Sequence, residues 1–424
     1  MKALVITPFL FAVILLSPAT ALANAPIAEV IQVSSVVNER ETLLNPGKFL
    51  NIPTPSHETA LILSGQRSTG MFTTFNYRTR LTYDSAKAGQ RFDAKLQEAS
   101  VNTFIQERWV VNVGKTQLSW DMATSFQPLG FFQANENLYD LTDMQSRSTG
   151  LPLMAASYLH PSWSATLVYS DDRWSAYDGF NRGVEQWGGR FQYHTRLGEL
   201  SFIVQKPAGQ NTGAGFSYIF SPADFVVTYT SAFYRQGTRR PQNLLLVSEQ
   251  PQLVDYFPFS HHEKESVTPY WRGVLGASFV FSHLDLTLEL SHDKRGLDRL
   301  MWDRLSNLIQ FHNELLKTEM RPEVRAMIGR NLFFASQSLS VHGAQENYLF
   351  AYLKKDTDYA NMSLYGRMAI QDKSALVGLN VQRTFVRRLT VSVNAQKFIG
   401  GQQDEFGLTP VGSSYQLTFR YLLN

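Results

Sequence analysis

The feature that most constrains this chain is an alternation of apolar and polar residues with a period of two. Leu284, Leu286, Leu288 and Leu290 oppose Asp285, Thr287, Glu289 and Ser291. Near the end, Tyr415, Leu417, Phe419 and Tyr421 alternate with Ser414, Gln416, Thr418 and Arg420. Successive side chains of a strand point to opposite faces, so each segment reads as a strand with one apolar and one polar side. The apolar sides carry aromatic residues, which suits a face turned to something other than water.

The pattern recurs in about sixteen segments: 69–83, 92–104, 108–117, 151–160, 163–170, 186–195, 199–205, 213–220, 225–234, 270–281, 284–291, 345–354, 359–371, 375–382, 389–397 and 413–422. A further strand fits 58–65. Alternate connections are tight, near Glu107, Pro161, Gly198, Pro222, His283, Thr357 and Phe385; the others include 118–150, 171–185, 236–268, 292–344 and 400–412. Short turns at one end and long loops at the other mark a membrane barrel. A soluble β-sandwich alternates too, but has no reason to segregate its loops. The fold predicted is an all-β transmembrane antiparallel β-barrel of about sixteen strands over 58–424, with the long loops extracellular.

The start of the chain agrees with export. Met1-Lys2 precedes an uncharged apolar run, and Ala21-Leu22-Ala23 supplies a small-residue cleavage site. Residues 1–23 thus read as a signal peptide cleaved near Ala23. Residues 24–57 hold Pro26, Pro46, Pro53 and Pro55 without sustained alternation, and read as a periplasmic N-terminal segment or, more sharply, a lumen plug. Cysteine is absent, so disulfides and thiolate chemistry are excluded. Charged residues are 18%, against roughly 25% for soluble domains. Aromatics reach 13%, with 18 Tyr and 7 Trp, which fits interfacial belts. A formal net charge of +3 with no basic run gives no footprint for nucleic acid.

One stretch is helical. Leu297, Leu300, Met301, Leu305, Leu308, Ile309, Leu315 and Leu316 recur at helical spacing; Pro322 then opens a second short helix ended by Gly329. This helical loop, about 295–330, either packs on other loops or forms a lid or constriction. Inward positions collect Arg78, Arg80, Arg190, His194, Arg272, Asp285, Glu289, Arg367 and Arg420, the candidate pore lining. Such charges either set a transverse field across a lumen or pair across strands and fill a polar interior. The loop 118–150 places Trp120, Asp121, Phe126, Tyr139 and Asp140 where they could narrow the mouth or pack over the rim. Asp171-Asp172 and His261-His262-Glu263 fall in rim regions, but neighbours on a strand point apart and the spacing is not that of a metal motif. No arrangement of nucleophile, base and orienter emerges, so the reading is a non-enzyme without cofactor.

The stretch Trp109-Val110-Val111-Asn112-Val113-Gly114-Lys115-Thr116-Gln117-Leu118-Ser119-Trp120, then Phe126-Gln127-Pro128-Leu129 and Gly150-Leu151-Pro152, resembles Gram-negative outer-membrane porin-like β-barrels. Asp121 stands where those proteins have Gly, and Gln127 where they have Asn. The resemblance is strongest over 108–170 and implies a barrel of porin type; the polar inward face and the loop asymmetry make the expected function an outer-membrane channel for small polar solutes, with outer-membrane lipid, lipopolysaccharide and further copies of the chain as expected partners. The alternative reading is a non-conducting barrel serving as receptor, adhesin or export component.

Overall fold

The computed structural model describes residues 27–48, 52, 54–84, 91–135, 148–171, 185–241, 263–340, 343–385 and 388–423. The proposed signal peptide, Tyr139, Asp140, Asp172, His261 and His262 lie outside them.

The chain forms β1 (Ile27–Glu39), β2 (Ser56–Ser68), β3 (Thr73–Asp84), β4 (Arg91–Ile105), β5 (Trp109–Thr116), β6 (Gln133–Asn135), β7 (Ser148–His160), β8 (Trp163–Asp171), β9 (Glu185–His194) and β10 (Gly198–Pro207). There follow β11 (Gly213–Ala223), β12 (Val226–Pro241), β13 (Glu263–Phe281), β14 (Leu284–Asp293), β15 (Asn347–Asp356), β16 (Asn361–Ala369), β17 (Ala375–Phe385), β18 (Leu389–Ile399) and β19 (Val411–Leu422). Helices α1 (Arg299–Thr318) and α2 (Pro322–Ser340) lie between β14 and β15, and the one-turn α3 (Glu405–Leu408) between β18 and β19.

Each wall strand pairs antiparallel with its neighbours in sequence, and β1 pairs with β19, so the sheet closes on itself as an 18-strand barrel. The short β6 is not a wall strand; it pairs only with the start of β7. The tight connections 69–72, 106–108, 161–162, 195–197, 224–225, 282–283, 357–360 and 386–388 share one end. The strands joined by longer connections meet at the other end, which also carries the short turns 208–212 and 370–374.

The reading of about sixteen strands therefore falls short by β1 and β2. Within 24–57, Ile27–Glu39 is a wall strand and Ser56 opens the next: β1 runs in register from Glu29↔Leu422 to Glu39↔Val411 on one side, and from Ile27↔Ser64 to Ser35↔Ser56 on the other. Alternation failed there for a physical reason. Ile31, Val33, Ala60 and Ile62 point inward and pack together, while Val30, Val36, Leu61 and Leu63 point outward. With apolar residues on both faces, the period-two signal cancels.

Outward positions are apolar and exposed. Trp109, Tyr193, Phe225, Phe281, Phe385 and Tyr421 ring the tight-turn end; Tyr83, Phe92, Trp187, Trp271 and Tyr415 ring the other. Aliphatic residues such as Leu167, Leu275, Leu288, Leu364 and Val393 fill the band between them. That is the surface a lipid bilayer requires of a barrel. No helix among the described residues is long and apolar enough to cross a membrane.

The helices differ from expectation in extent. Pro322 opens α2 as read, but Gly329 does not end it, and the helix continues to Ser340. Val324, Ile328, Leu332 and Ala335 form a buried stripe through the glycine, and burying that stripe outweighs the roughly 1 kcal/mol that a mid-helix glycine costs.

The facing of β14 yields a test. Leu288→Arg puts a charge in the outward band and is expected to cost about 2–4 kcal/mol. Thr287→Arg, one residue away and inward, is expected to cost much less. Denaturant titration in lipid vesicles measures both.

Candidate functional site

The register fixes which side chains enter the lumen. All nine basic and acidic positions assigned to the interior face inward, but they are not equally accessible. Arg80, Arg272 and Glu289 are buried, with Glu289 only 1% exposed. Arg80 pairs with Glu58 on the neighbouring strand. Arg78 stands opposite Glu98, Arg190 bonds Glu199 at 2.8 Å with His194 beside that carboxylate, and Asp285 stands opposite Lys354, which donates to Asp356 at 2.7 Å. Arg367 lies over the Tyr348 ring, 3.9 Å from its centroid. Arg420 stands opposite Ile31 and Thr390.

Glu289 is an anchor, not an open lining group. The segment 117–135 folds inside the barrel and lies along the inner faces of β7 to β14. Glu289 accepts from the Thr124 and Ser125 backbone amides at 2.6 and 2.8 Å, from the Tyr229 hydroxyl at 2.5 Å, and from the Ser125 hydroxyl. Asp121 does the same work from the segment's own side. It accepts from the amides of Ala123 and Leu129 at 3.2 and 3.0 Å and from the Ser231 hydroxyl at 2.8 Å. Burial pushes the Asp121 carboxyl up, and these bonds oppose the shift. Backbone amides of an irregular segment have no sheet partner, and a buried carboxylate satisfies several at once through charge-assisted bonds.

Apolar packing seats the rest. Trp120, Leu129 and Phe132 are buried against Leu153, Ala155, Val168, Ile203 and Phe233 of the wall. Phe126 packs with Tyr229 and Val274. Two wall glycines make room: a Cβ on Gly188 would meet the Phe132 ring at 2.6 Å, and one on Gly215 would meet Leu129 at 2.8 Å. The aromatic loop thus packs into the lumen, not over the rim. Sequence reading placed Trp120, Asp121, Phe126 and Phe132 in this loop but missed the part played by Leu129 and both glycines. Interleaved small positions in β9 and β11 were the available signal.

Beside this segment, Arg272 stacks on Phe131 and Phe233 at 5.0 and 5.5 Å, and Arg235 and Arg295 approach the Tyr270 ring at 5.6 and 5.5 Å. Asp293 holds Arg295 with a 2.6 Å bond.

The far side of the wall is different. Register rows across β16 to β19 read Asn361, Gln382, Ser392, Thr418; then Ser363, Asn380, Asn394, Gln416; then Tyr365, Gly378, Gln396, Ser414. None of these carries a carboxylate or an ammonium group.

At the long-connection end, α1 and α2 pack on Leu44 and Leu408 as well as on each other. Asn313 donates to the Leu43 carbonyl at 3.1 Å, and Gln403 to Gln310 at 2.8 Å. The hairpin's base is latched by Glu405, which accepts from the Ala344 amide at 3.0 Å and the Tyr348 hydroxyl at 2.7 Å. Burial pushes the Glu405 carboxyl up. His312, buried in α1, is pushed down to about 4 by desolvation.

Glu289→Ala strands two amides and a tyrosine hydroxyl, at about 1–3 kcal/mol each. The expected result is a released inner segment, read as new protease cleavage within 117–135. His312 gives a pH dependence with a definite sign. Its folded pKa lies below its unfolded value, so the contribution is intact above about 6.5 and is lost as pH falls toward about 4. The hairpin should become protease-sensitive below about pH 5, and His312→Leu should abolish that dependence.

No family model and no curated protein matches the chain. Among solved structures it is similar to OccK5 (OpdH) of Pseudomonas aeruginosa, at 9% identity and a TM-score of 0.52, over 94% of this chain and 97% of that one. It is similar to the outer membrane protein OprD of Pseudomonas aeruginosa, at 9% identity and a TM-score of 0.50, over 94% and 93%. A variant of the Rh. blastica porin aligns over 94% and 99% at 12% identity, with a TM-score of 0.40. With the closed wall and the inward segment, the likenesses to OccK5 and OprD give the chain the fold of a porin-like β-barrel.

Proposed function

We propose that the chain is an outer-membrane channel for small polar solutes, with 117–135 as its fixed constriction and the α1–α2 hairpin as an extracellular lid. The observation that carries this reading is the inner segment. It is tied by buried Glu289 and Asp121 to one side of the wall, while the wall opposite keeps a polar, hydrogen-bonding surface. A barrel whose only task was anchorage gains nothing from a polar lumen and an internal segment held by so many bonds. OprD is an outer membrane protein, which supports that location here, as does the apolar outer band. On this reading residues 1–23 are removed on export near Ala23, the tight turns face the periplasm, and lipid and lipopolysaccharide surround the wall. Arg78, Arg190, His194, Asp285, Arg367 and Arg420 face the solute path, and the barrel can associate with further copies. Neither cofactor nor catalysis enters.

The hairpin favours a second reading, a non-conducting barrel that displays α1 and α2 to a partner. An apolar core shared with 40–48 and 400–410 makes the hairpin a built part of the mouth. Single-channel recording in planar bilayers separates the readings. A channel gives discrete conductance steps, larger in Glu289→Ala and in a protein lacking 299–340. A folded, inserted protein without steps in any of the three refutes the channel.

A further inference from the structure

We propose that the uncharged rows of β16 to β19 form a binding track for neutral polyhydroxylated solutes, with its seat at Asn380; this rests on the channel reading. A cavity of about 120 Å³ opens in this wall, lined by Tyr352, Lys354, Ser363, Tyr365, Asn380 and Gln382. Asn380 is 6% exposed, and its Oδ1 has no hydrogen-bond partner. A buried carbonyl oxygen without a partner costs free energy that a ligand hydroxyl recovers by donating to it. A carboxylate or phosphate has only acceptors and cannot.

The surroundings point the same way. The Tyr365 ring lies over Gly378, where a Cβ would meet it at 2.1 Å, and its hydroxyl is committed to Asn394 at 3.1 Å and Gln396 at 2.7 Å. The tyrosine is thereby fixed as a rigid shelf. Lys354, the one cation among the described residues that line the cavity, is bound to Asp356, so it offers little net charge to an anion. Amide and hydroxyl groups that both donate and accept match a sugar or polyol, whereas an ion passing them sheds water without a counter-charge in return. Elsewhere on the wall the charges largely answer one another, as in Arg80–Glu58 and Arg190–Glu199. Arg272, which would favour anions, is buried beside Phe131.

Liposome swelling with glucose, gluconate and glucosamine at equal, low concentration tests the track, because the three share a skeleton and differ in charge. Glucose should enter fastest. Asn380→Leu should lower the glucose rate about threefold to tenfold, the worth of one hydrogen bond, lower the gluconate and glucosamine rates less because their charge disfavours the uncharged rows, and leave potassium chloride conductance unchanged. Gln382→Leu, at the same cavity, provides an independent variant should Asn380→Leu not fold, as judged by heat-modifiable migration. Gluconate entering fastest overturns the inference in favour of the arginine cluster. Glucosamine entering fastest, equal rates for all three, or equal loss of all rates in the variants also overturns it. Each of those results leaves the channel standing. Absence of both conductance and swelling in the native protein overturns the channel reading itself.

Discussion

A strand that crosses lipid must find a partner for every backbone amide and carbonyl, because the hydrocarbon offers none. The pairing of β1 with β19 is what satisfies that demand here, since without it two edges of the sheet would face the bilayer. Closure at eighteen strands then dictates a second requirement. Side chains alone fill a barrel of about eight strands, but not one this wide. Some of the lumen must be left to water or filled by chain that is not wall. This protein does both, with 117–135 laid along β7 to β14 and α3 tucked against Tyr348, Leu376 and Phe398 of β15, β17 and β18.

Chain folded into a lumen brings amides with no ladder to join. The same solution recurs at each such place. Glu289 and Asp121 secure the inner segment, and Glu405 secures the base of the hairpin, each by accepting from backbone amides and a hydroxyl together. None of the three relies on a lysine or arginine hydrogen bond among the contacts described. A carboxylate has four lone-pair sites, so one residue can satisfy several donors that would otherwise be buried unpaired. Exposed surface ion pairs such as Lys317–Glu314 contribute far less.

How legible this was in the sequence depended on the element. Sixteen wall strands were visible because water on one side and lipid on the other impose opposite chemistry on alternate residues. β1 escaped, and β2 showed only as an extra strand over 58–65, because Ile31, Val33, Ala60 and Ile62 turn an apolar face inward and erase that contrast. The helix through Gly329 escaped because a glycine near the end of a pattern reads as a stop, while the stripe that carries α2 past it is defined by Leu44 and Leu408, far away in sequence. For the site, period two assigned a facing to Arg80, Arg272 and Glu289. It could not give their burial, which comes from what lies on top of them. Facing is a local property of a strand; coverage is set by chain folded in from elsewhere.

That difference also decides how the lumen is divided. The inner segment spends its aromatic residues on the β7 to β14 side, where Gly188 and Gly215 remove side chains to admit them. Some charges on that side become anchors, as Glu289 does, or are stacked against rings, as Arg272 is. Across the barrel, the rows from Asn361 to Gln416 keep amides and hydroxyls with no described segment laid over Ser363, Gln382, Ser392 or Gln416, which remain partly exposed among the described residues. One side of the lumen has been made into structure and the other has been left as surface. The surface that is left, uncharged and able both to donate and to accept, is where the chemistry of a passing solute can matter.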